Sequence, residues 1–466
     1  MKPVDLLIIG GGINGAGIAR DAAGRGWSVM LCEKGDLGGA TSSASSKLIH
    51  GGLRYLEYGE FRLVRESLKE REVLLRIAPH LIRPLRFVLP HDGSSRPRAL
   101  IRLGLFLYDH LGGGSSLPGT ATIDLRHHAF GRPLRPDLSV GFAYSDAMVD
   151  DARLVIANAR DAARHGALIR TRTPFLGATR TRGLWRVRLR EEEIEARVIV
   201  NAAGPWVGEV AALLGLDQGK AHVRLVKGSH IVVKRLYDGD HAYILENEDR
   251  RVVFLIPFGG DFTLIGTTEV PVAMPLEKPA ITPQEIDYLC RAASHWLARP
   301  VGPDAVVWSY AGVRPLYDDH AREAAAVTRD YVLTLDTKGA PALSIFGGKI
   351  TTFRRLAEHA LAKLGPSQPA ARGPWTATSP LPGGDLGPGG LRALIAALER
   401  EYPWLDAREA ARLAHAYGSE ARLVLGSARS ATELTAAETA WMRAAEWAVT
   451  DEDILWRRSK LGLLKG

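Results

Sequence analysis

Residues 4–33 read VDLLIIGGGINGAGIARDAAGRGWSVMLCE. The apolar run from Val4 to Ile9 suits a buried parallel strand, and Gly10, Gly12 and Gly15 follow it on the G-x-G-x-x-G spacing at the head of a helical pattern. A dinucleotide needs that order. Gly10 permits the tight turn, Gly12 lets a pyrophosphate approach the backbone, Gly15 lets the helix lie close to the strand, and the helix N-terminus favours the anion. A second apolar strand, Val29 to Cys32, ends at Glu33, where a carboxylate accepts hydrogen bonds from an adenosine ribose. An acid at this point disfavours a 2′-phosphate, so FAD or NAD is expected and NADP is not.

The 466 residues suffice for two or three domains, and 46% hydrophobic with 24% charged residues is ordinary for a soluble globular protein. Net charge is +8, the pI is about 9.4, and arginine well outnumbers lysine. This balance suits an anionic substrate, an anionic membrane surface or nucleic acid, without choosing among them. Two cysteines, Cys32 and Cys290, are too few for a disulfide framework or a metal cluster and read as small core residues in a reducing compartment. No apolar run reaches the length of a membrane span, and the N-terminal one leads into the glycine motif instead of a cleavage site. The protein is expected on the cytosolic side, with peripheral membrane attachment left open.

After Glu33, the loop from Gly35 to Lys47 crowds Thr41, Ser42, Ser43, Ser45 and Ser46. Their hydroxyls and backbone N–H groups suit a pyrophosphate or a flavin edge; a plain serine-rich loop is the alternative. In LIHGGLRYLEYGEF, His50 and Arg54 bracket a glycine pair that lets backbone approach a ligand. Phe61 to Ile77 has helical periodicity. Arg96 to Leu111, RPRALIRLGLFLYDHL, is a basic amphipathic helix that suits either a membrane interface or packing on the core.

Further along, a helix is expected over Asp150 to Arg164, strands over Ala167 to Thr173, Leu184 to Arg190 and Ile194 to Val200, and a turn at Gly204. Several β-like runs between Leu225 and Thr268 suggest an antiparallel sheet facing the substrate. Thr282 to Leu297 reads as a helix, and a strand from Val306 to Tyr310 leads into AGVRP, with Arg314 at its end. The strand Leu343 to Phe346 precedes GGKITT and a helix with Ile350, Phe353, Leu356, Leu361 and Leu364 on one face. This junction repeats the N-terminal logic: backbone donors, a helix dipole and the Lys349 cation stabilise negative charge on a reduced flavin ring. Pro366 to Gly390 reads as a linker, and the remainder as a small helical domain.

Taken together, GGGINGAG, TSSASSKLIHGGLRYLE, DDARLV, NAAGPW, KGSHIVV, GTTE, YAGVRPL and FGGKITTFRRLAEHAL resemble the FAD-dependent, respiratory glycerol-3-phosphate dehydrogenases of bacteria. These belong to the flavoproteins with a D-amino-acid-oxidase-like fold. The resemblance spans nearly the whole length and is most specific from Thr41 to Glu57. It implies an α/β fold with three parts. A Rossmann-like FAD-binding domain comprises residues 1–80, 145–215 and 311–365, and an antiparallel-sheet substrate domain comprises 81–144 and 216–310. A linker over 366–390 leads to a small C-terminal α-helical domain over 391–466. The stretch after Gly365 matches the family pattern poorly, and the chain ends earlier than its longer members.

The resemblance also implies oxidation of sn-glycerol 3-phosphate to dihydroxyacetone phosphate by hydride transfer to FAD, with electrons passed to membrane quinone. The enzyme is then a peripheral protein, commonly a homodimer, on the cytoplasmic side of the inner membrane. By the same resemblance Arg54 and Arg314 are phosphate and substrate ligands, with Tyr55 beside them and Lys349 near substrate and flavin. The cofactor residues are Gly10, Gly12, Asn14, Gly15, Glu33, Thr41, Ser42, Ser45, Ser46, Lys47, Leu48, Gly204, Gly348, Lys349, Ile350 and Thr351. No metal is expected.

The chemistry needs a group that accepts the carbinol proton, and imidazole titrates near working pH. His230 in KGSHIVV is placed slightly ahead of His50, and Arg314 joins them as the catalytic set. Within the same fold the alternatives are an oxidase using oxygen, or an amino-acid or amine oxidase. Two arginines and a lysine fit a phosphate better than the single carboxylate of such substrates. A flavin-containing nucleic-acid-binding protein is a remote alternative, disfavoured because no basic run is interleaved with aromatics.

Overall fold

Leu6, Leu7 and Ile8 are fully buried, because the strand Val4–Ile9 lies inside a sheet covered on both faces. The computed structural model describes residues 2–93, 96–216, 222–274, 276, 278–318, 330–365 and 372–464. In the first sheet the strand order is Tyr331–Asp336, Ala342–Gly347, Glu193–Asn201, Val4–Ile9, Val29–Cys32 and Leu168–Arg170. The last five run parallel, and Tyr331–Asp336 is antiparallel. Leu184–Leu189 and Phe175–Thr181 extend Glu193–Asn201 as an antiparallel flap.

Side chains alternate between two cores, as strand geometry requires. Leu6 and Ile8 pack with the helices Ile13–Gly24, Asp151–Arg164 and Phe353–Leu364, whereas Leu7 and Ile9 pack with Trp185, Val187 and Val210. Glycine sets the closeness of this layer. A Cβ at Gly15 would sit 2.0 Å from Gly10 O, and one at Gly17 2.7 Å from Phe353 Cδ2.

The second sheet has ten strands, antiparallel except where His241–Glu246 runs parallel to Ile82–His91. The helix Pro283–Ser294 opens with a Thr282–Glu285 capping box and covers one face through Leu289, Cys290 and Ala293. Helices Phe61–Ile77 and Arg98–Leu111 cover another part through Val64, Leu68, Leu105 and Tyr108. The strand expected to stop at Tyr310 instead runs Val306–Tyr317, pairing with Val223–Lys234 along its length. Arg314 is therefore within the strand and not at its end.

Residues 366–371 of the expected linker lie outside the described residues. From 372 to 389 the chain is irregular but packed: a Cβ at Gly24 would meet the Trp375 ring at 2.0 Å, and Leu381 is buried. Helices Gly390–Glu401, Ala407–Tyr417, Ala421–Leu425 and Ala431–Glu446 then build their own core. Buried ion pairs join this core to the helix Asp151–Arg164: Arg153 to Glu446 at 2.8 Å and Arg160 to Glu420 at 2.7 Å. Cys32 and Cys290 are free thiols in the core. Among the described residues, no helix is long and apolar enough to cross a membrane.

Candidate active site

Two glycine turns face each other. At the first, Gly10 adopts φ +113°, and a Cβ there would lie 2.5 Å from Ala202 O. Only glycine fits that conformation and that gap. The helix behind it begins with Ile13 N–H donating to Ser42 Oγ at 3.0 Å. At the second, Gly348 adopts φ +105°, and a Cβ there would come 2.9 Å from Asn14 Nδ2. Asn14 donates to Gly347 O at 3.4 Å, so one side chain joins the two turns.

Glu33 completes the first turn. Its Oε2 accepts from Gly11 N–H and its Oε1 from Gly35 N–H, both at 2.7 Å. Burial pushes its carboxyl above the ordinary range, and these two donors oppose the shift.

One cavity collects most of the expected residues. Gly10, Gly12, Asn14 and Glu33 line it from the first βαβ unit, and Gly204 from the turn after Asn201. The serine-rich loop and the short strand after it supply Thr41, Ser42, Ser45, Ser46, Leu48 and His50, with Tyr55 beyond. His230 and Arg314 enter from the second sheet, and Gly348, Lys349, Ile350 and Thr351 from the second glycine turn.

Three expected residues stand outside that lining. Gly15 lies beneath the first turn, where its missing side chain lets helix and strand touch. Lys47 is buried, with its ammonium donating to Asp151 Oδ1 at 2.8 Å, Asp151 Oδ2 at 2.9 Å and Ser43 O at 3.0 Å. Burial pushes that ammonium pKa down, and Asp151 opposes the shift. Lys47 thus anchors the serine-rich loop with its side chain. Arg54 lies on the 3-10 helix Leu53–Tyr58 and donates to Arg250 O at 3.1 Å. His50 and Arg54, expected to bracket one ligand, therefore diverge: the first lines the cavity and the second reaches toward the Arg250 loop.

His230 sits opposite Gly266 on one neighbouring strand and Tyr310 on the other. A Cβ at Gly266 would lie 2.1 Å from His230 Cδ2, so the ring occupies the space that glycine leaves. It stacks on Tyr310 with centroids 4.8 Å apart and planes 15° from parallel. Nε2 lies 2.9 Å from Ser46 Oγ, while Nδ1 is buried without a hydrogen-bond partner among the described residues. Burial, then the Lys47 and Arg314 cations, push the imidazole from 6.5 down to about 3. This corrects the expectation that it titrates near working pH: the ring is neutral there.

Arg314 Nη2 donates to Thr268 O at 3.1 Å, and Nη1 pairs with Glu269 Oε1 at 3.3 Å. The Lys349 ammonium lies over the Tyr55 ring. Thr41 Oγ1 donates to Val313 O at 2.6 Å, closing the serine-rich loop onto the strand that carries Arg314.

Sequence reasoning missed several contributors. Gly228 and Thr267 line the cavity, beside His230 and within GTTE respectively. Tyr310 supports His230 and donates from its hydroxyl to Ser45 O at 2.7 Å. Asp151, in the quoted DDARLV, holds the serine-rich loop.

The cavity fits a dinucleotide. A Cβ at Gly12 would stand 3.2 Å from Ser42 Oγ, closer than ordinary contact, so glycine there widens the gap between turn and loop. Asn14 Oδ1 is buried between the two turns with no hydrogen-bond partner among the described residues.

Residues 5–354 match the sequence profile of the FAD dependent oxidoreductase family, and residues 374–466 match that of the C-terminal domain of alpha-glycerophosphate oxidase. The second match corrects the expectation that the stretch after Gly365 departs from the family pattern. D-erythritol 1-phosphate dehydrogenase of Brucella abortus is 49% identical, over 98% of this chain and 94% of that protein. Glycerol-3-phosphate dehydrogenase of Pseudomonas aeruginosa is 48% identical, over 98% of this chain and 92% of that protein. Among solved structures, glycerol-3-phosphate dehydrogenase from Bacillus halodurans complexed with FAD has a TM-score of 0.77 at 27% identity, covering 98% of this chain and 86% of that one.

Proposed function

The chain belongs to the family of FAD-dependent oxidoreductases, and from that premise we propose that it oxidises sn-glycerol 3-phosphate to dihydroxyacetone phosphate. One observation carries the reading: a single cavity joins the two glycine turns to Arg314, Lys349 and His230. The cofactor end is Gly10, Gly12, Asn14, Glu33, Thr41, Ser42, Ser45, Ser46, Leu48 and Gly204, together with Gly348, Lys349, Ile350 and Thr351. Lys47 serves this end by fixing the loop through Asp151. FAD held there would supply a two-electron acceptor for the carbinol hydrogen.

Arg314 and Lys349 bind the substrate phosphate, a dianion that matches a guanidinium fork and an ammonium. Arg54 joins them from the mouth when it releases Arg250 O. Tyr55 and His50 close the remaining sides and exclude water. The carbinol proton passes to Ser46 Oγ and on to His230 Nε2, which is 2.9 Å away. The neutral state of His230 leaves that nitrogen able to accept. Pairing of the phosphate with Arg314 also removes one of the charges that depress its proton affinity, so substrate binding strengthens the base.

A second substrate is favoured by the Brucella abortus relative: D-erythritol 1-phosphate, one carbon longer. Anaerobic addition of each compound to the purified yellow holoprotein separates the two readings. Bleaching of the flavin band by glycerol 3-phosphate at the lower concentration supports the first, and bleaching by the longer compound alone refutes it.

The electrons then pass to a membrane quinone. Leu100, Leu103 and Phe106 are 54%, 54% and 56% exposed on the helix Arg98–Leu111, beside Arg98 and Arg102. An apolar stripe flanked by arginines suits peripheral attachment to the anionic cytoplasmic face of the inner membrane. The match over 374–466 to an oxidase domain favours oxygen as the competing acceptor. Oxygen uptake measured with and without a quinone analogue decides between them, and mass in solution tests the expected homodimer.

A further inference from the structure

The residues after Glu446 return to the wall of the cavity by two routes. The first is aromatic. Trp456, on the π-helical turn Asp453–Arg458, stacks on Trp308 with centroids 4.5 Å apart and planes 18° from parallel. Trp308 meets Tyr310 at 5.0 Å, and Tyr310 lies on the His230 ring at 4.8 Å. These rings form a column for a simple reason. Trp308 and Tyr310 are two apart on one strand and share a face, and His230 is opposite Tyr310 in register.

The second route is ionic. Lys460 Nζ donates to Asp150 Oδ1 at 2.6 Å. The next residue, Asp151, holds Ser45 Oγ at 2.7 Å and Lys47 Nζ at 2.8 Å. Between those two stands Ser46, whose hydroxyl meets His230 Nε2. Both routes therefore end on one imidazole. The returning turn is itself fastened: the buried Arg458 bonds Asp36 Oδ1 at 2.8 Å and Glu446 O at 2.5 Å.

We propose that the segment from Asp453 to Lys460 is a positioning element of the active site. Trp456 is its central residue: it holds Trp308 and Tyr310, and through them aligns the His230 imidazole with the bound substrate. The proposal rests on His230 as proton acceptor. The Tyr310 hydroxyl is tied to Ser45 O at 2.7 Å, and on this proposal the Trp308–Trp456 stack fixes the tilt of the ring about that tether. A displacement of about 1 Å in a reacting group costs on the order of 100-fold in rate.

The test uses the full-length holoenzyme with Trp456→Leu and Trp456→Phe, and Leu423→Ser, on a residue 62% exposed in the C-terminal helices, as control. Near-ultraviolet circular dichroism reports the stacked indoles, whose signal is lost in both Trp456 variants. Flavin content and KM in Trp456→Leu stay within about twofold of the parent, while anaerobic flavin bleaching by substrate slows on the order of tenfold. Trp456→Phe, which keeps a flat ring, recovers most of that rate, and the control bleaches at the parental rate.

A parental rate in Trp456→Leu overturns the proposal. So does an equal loss of rate and flavin in both Trp456 variants, because that is the signature of damaged folding. His230→Asn tests the underlying assignment separately: a parental rate there refutes the base, whereas a slow His230→Asn beside a fast Trp456→Leu refutes only the positioning. Should Trp456→Leu not accumulate as holoenzyme, Lys460→Met interrupts the other route, with the same slowing expected and the same parental rate overturning it.

Discussion

The Lys349 ammonium lies 3.9 Å from the centroid of the Tyr55 ring. The ring reaches that position by folding over Gly52, where φ is +78° and a Cβ would lie 2.1 Å from Tyr55 Cε2. A cation over an aromatic face at this distance is attracted by the ring quadrupole. Tyr55→Phe keeps the face and should hold kcat/KM within about threefold. Tyr55→Ala should lower it about tenfold, and Lys349→Met, which removes the proposed charge-assisted phosphate contact, about 10- to 100-fold. Steady-state kinetics at equal flavin occupancy check all three.

Gly15→Ala places a methyl group 2.0 Å from Gly10 O, which is backbone and cannot step aside. The helix must lift from the strand. The expected result is a stability loss of about 1–3 kcal/mol together with loss of bound FAD on gel filtration. A yellow protein with an unchanged Tm would contradict the proposed role of that contact.

Burial holds His80 and His230 at about 3, and His241 and His415 at about 4, against an ordinary 6.5. The unfolded chain therefore takes up protons first as pH falls. Stability is complete above about pH 6.5 and declines below it, each ring contributing up to about 1.4 kcal/mol per pH unit until its folded value is reached. The Tm should drop on going from pH 7 to pH 5, and His415→Gln should flatten that slope by one proton. The rate of flavin bleaching should show no acid limb near pH 6.5 from His230.

Asp151→Asn leaves the buried Lys47 ammonium without its counter-charge and weakens the hold on Ser45. Breaking a buried pair from one side costs about 3–5 kcal/mol. Thermal unfolding should register most of that, and flavin should dissociate before the protein unfolds. A variant that retains FAD to the parental Tm would show that the loop is held by other means.

Leu103→Ser with Phe106→Ser removes two exposed apolar side chains from the helix Arg98–Leu111. Co-sedimentation with anionic vesicles should fall about tenfold or more, while turnover with a soluble electron acceptor stays at the parental level. Equal vesicle binding in both proteins would rule out this helix as the attachment face.

The first βαβ unit was legible because its signals are local: an apolar run, three glycines at fixed spacing and a terminal acid lie within thirty residues. The second glycine turn and its helix were legible for the same reason. The neutral state of His230 was not, because burial, and after it the Lys47 and Arg314 cations, depress its proton affinity only once the chain has folded. Asp151 was likewise hidden: DDARLV reads as an acidic helix start, and its bond to Ser45 spans 106 residues. Arg314 was placed at a strand end because the strand was read only over Val306 to Tyr310, with AGVRP following it. In the structure Gly312 is kept in the strand, where a Cβ would lie 2.6 Å from that of Ala44.

Asp36, three residues past Glu33, is clasped by Arg457 at 2.5 Å and by Arg458 at 2.8 Å. A growing polypeptide presents Asp36 early and those two arginines hundreds of residues later. The loop after Glu33, which carries Asp36, therefore lacks these two partners until the C-terminal residues have been made. A chain truncated before Arg457 should therefore hold FAD less tightly than the full-length protein, which flavin content after gel filtration checks.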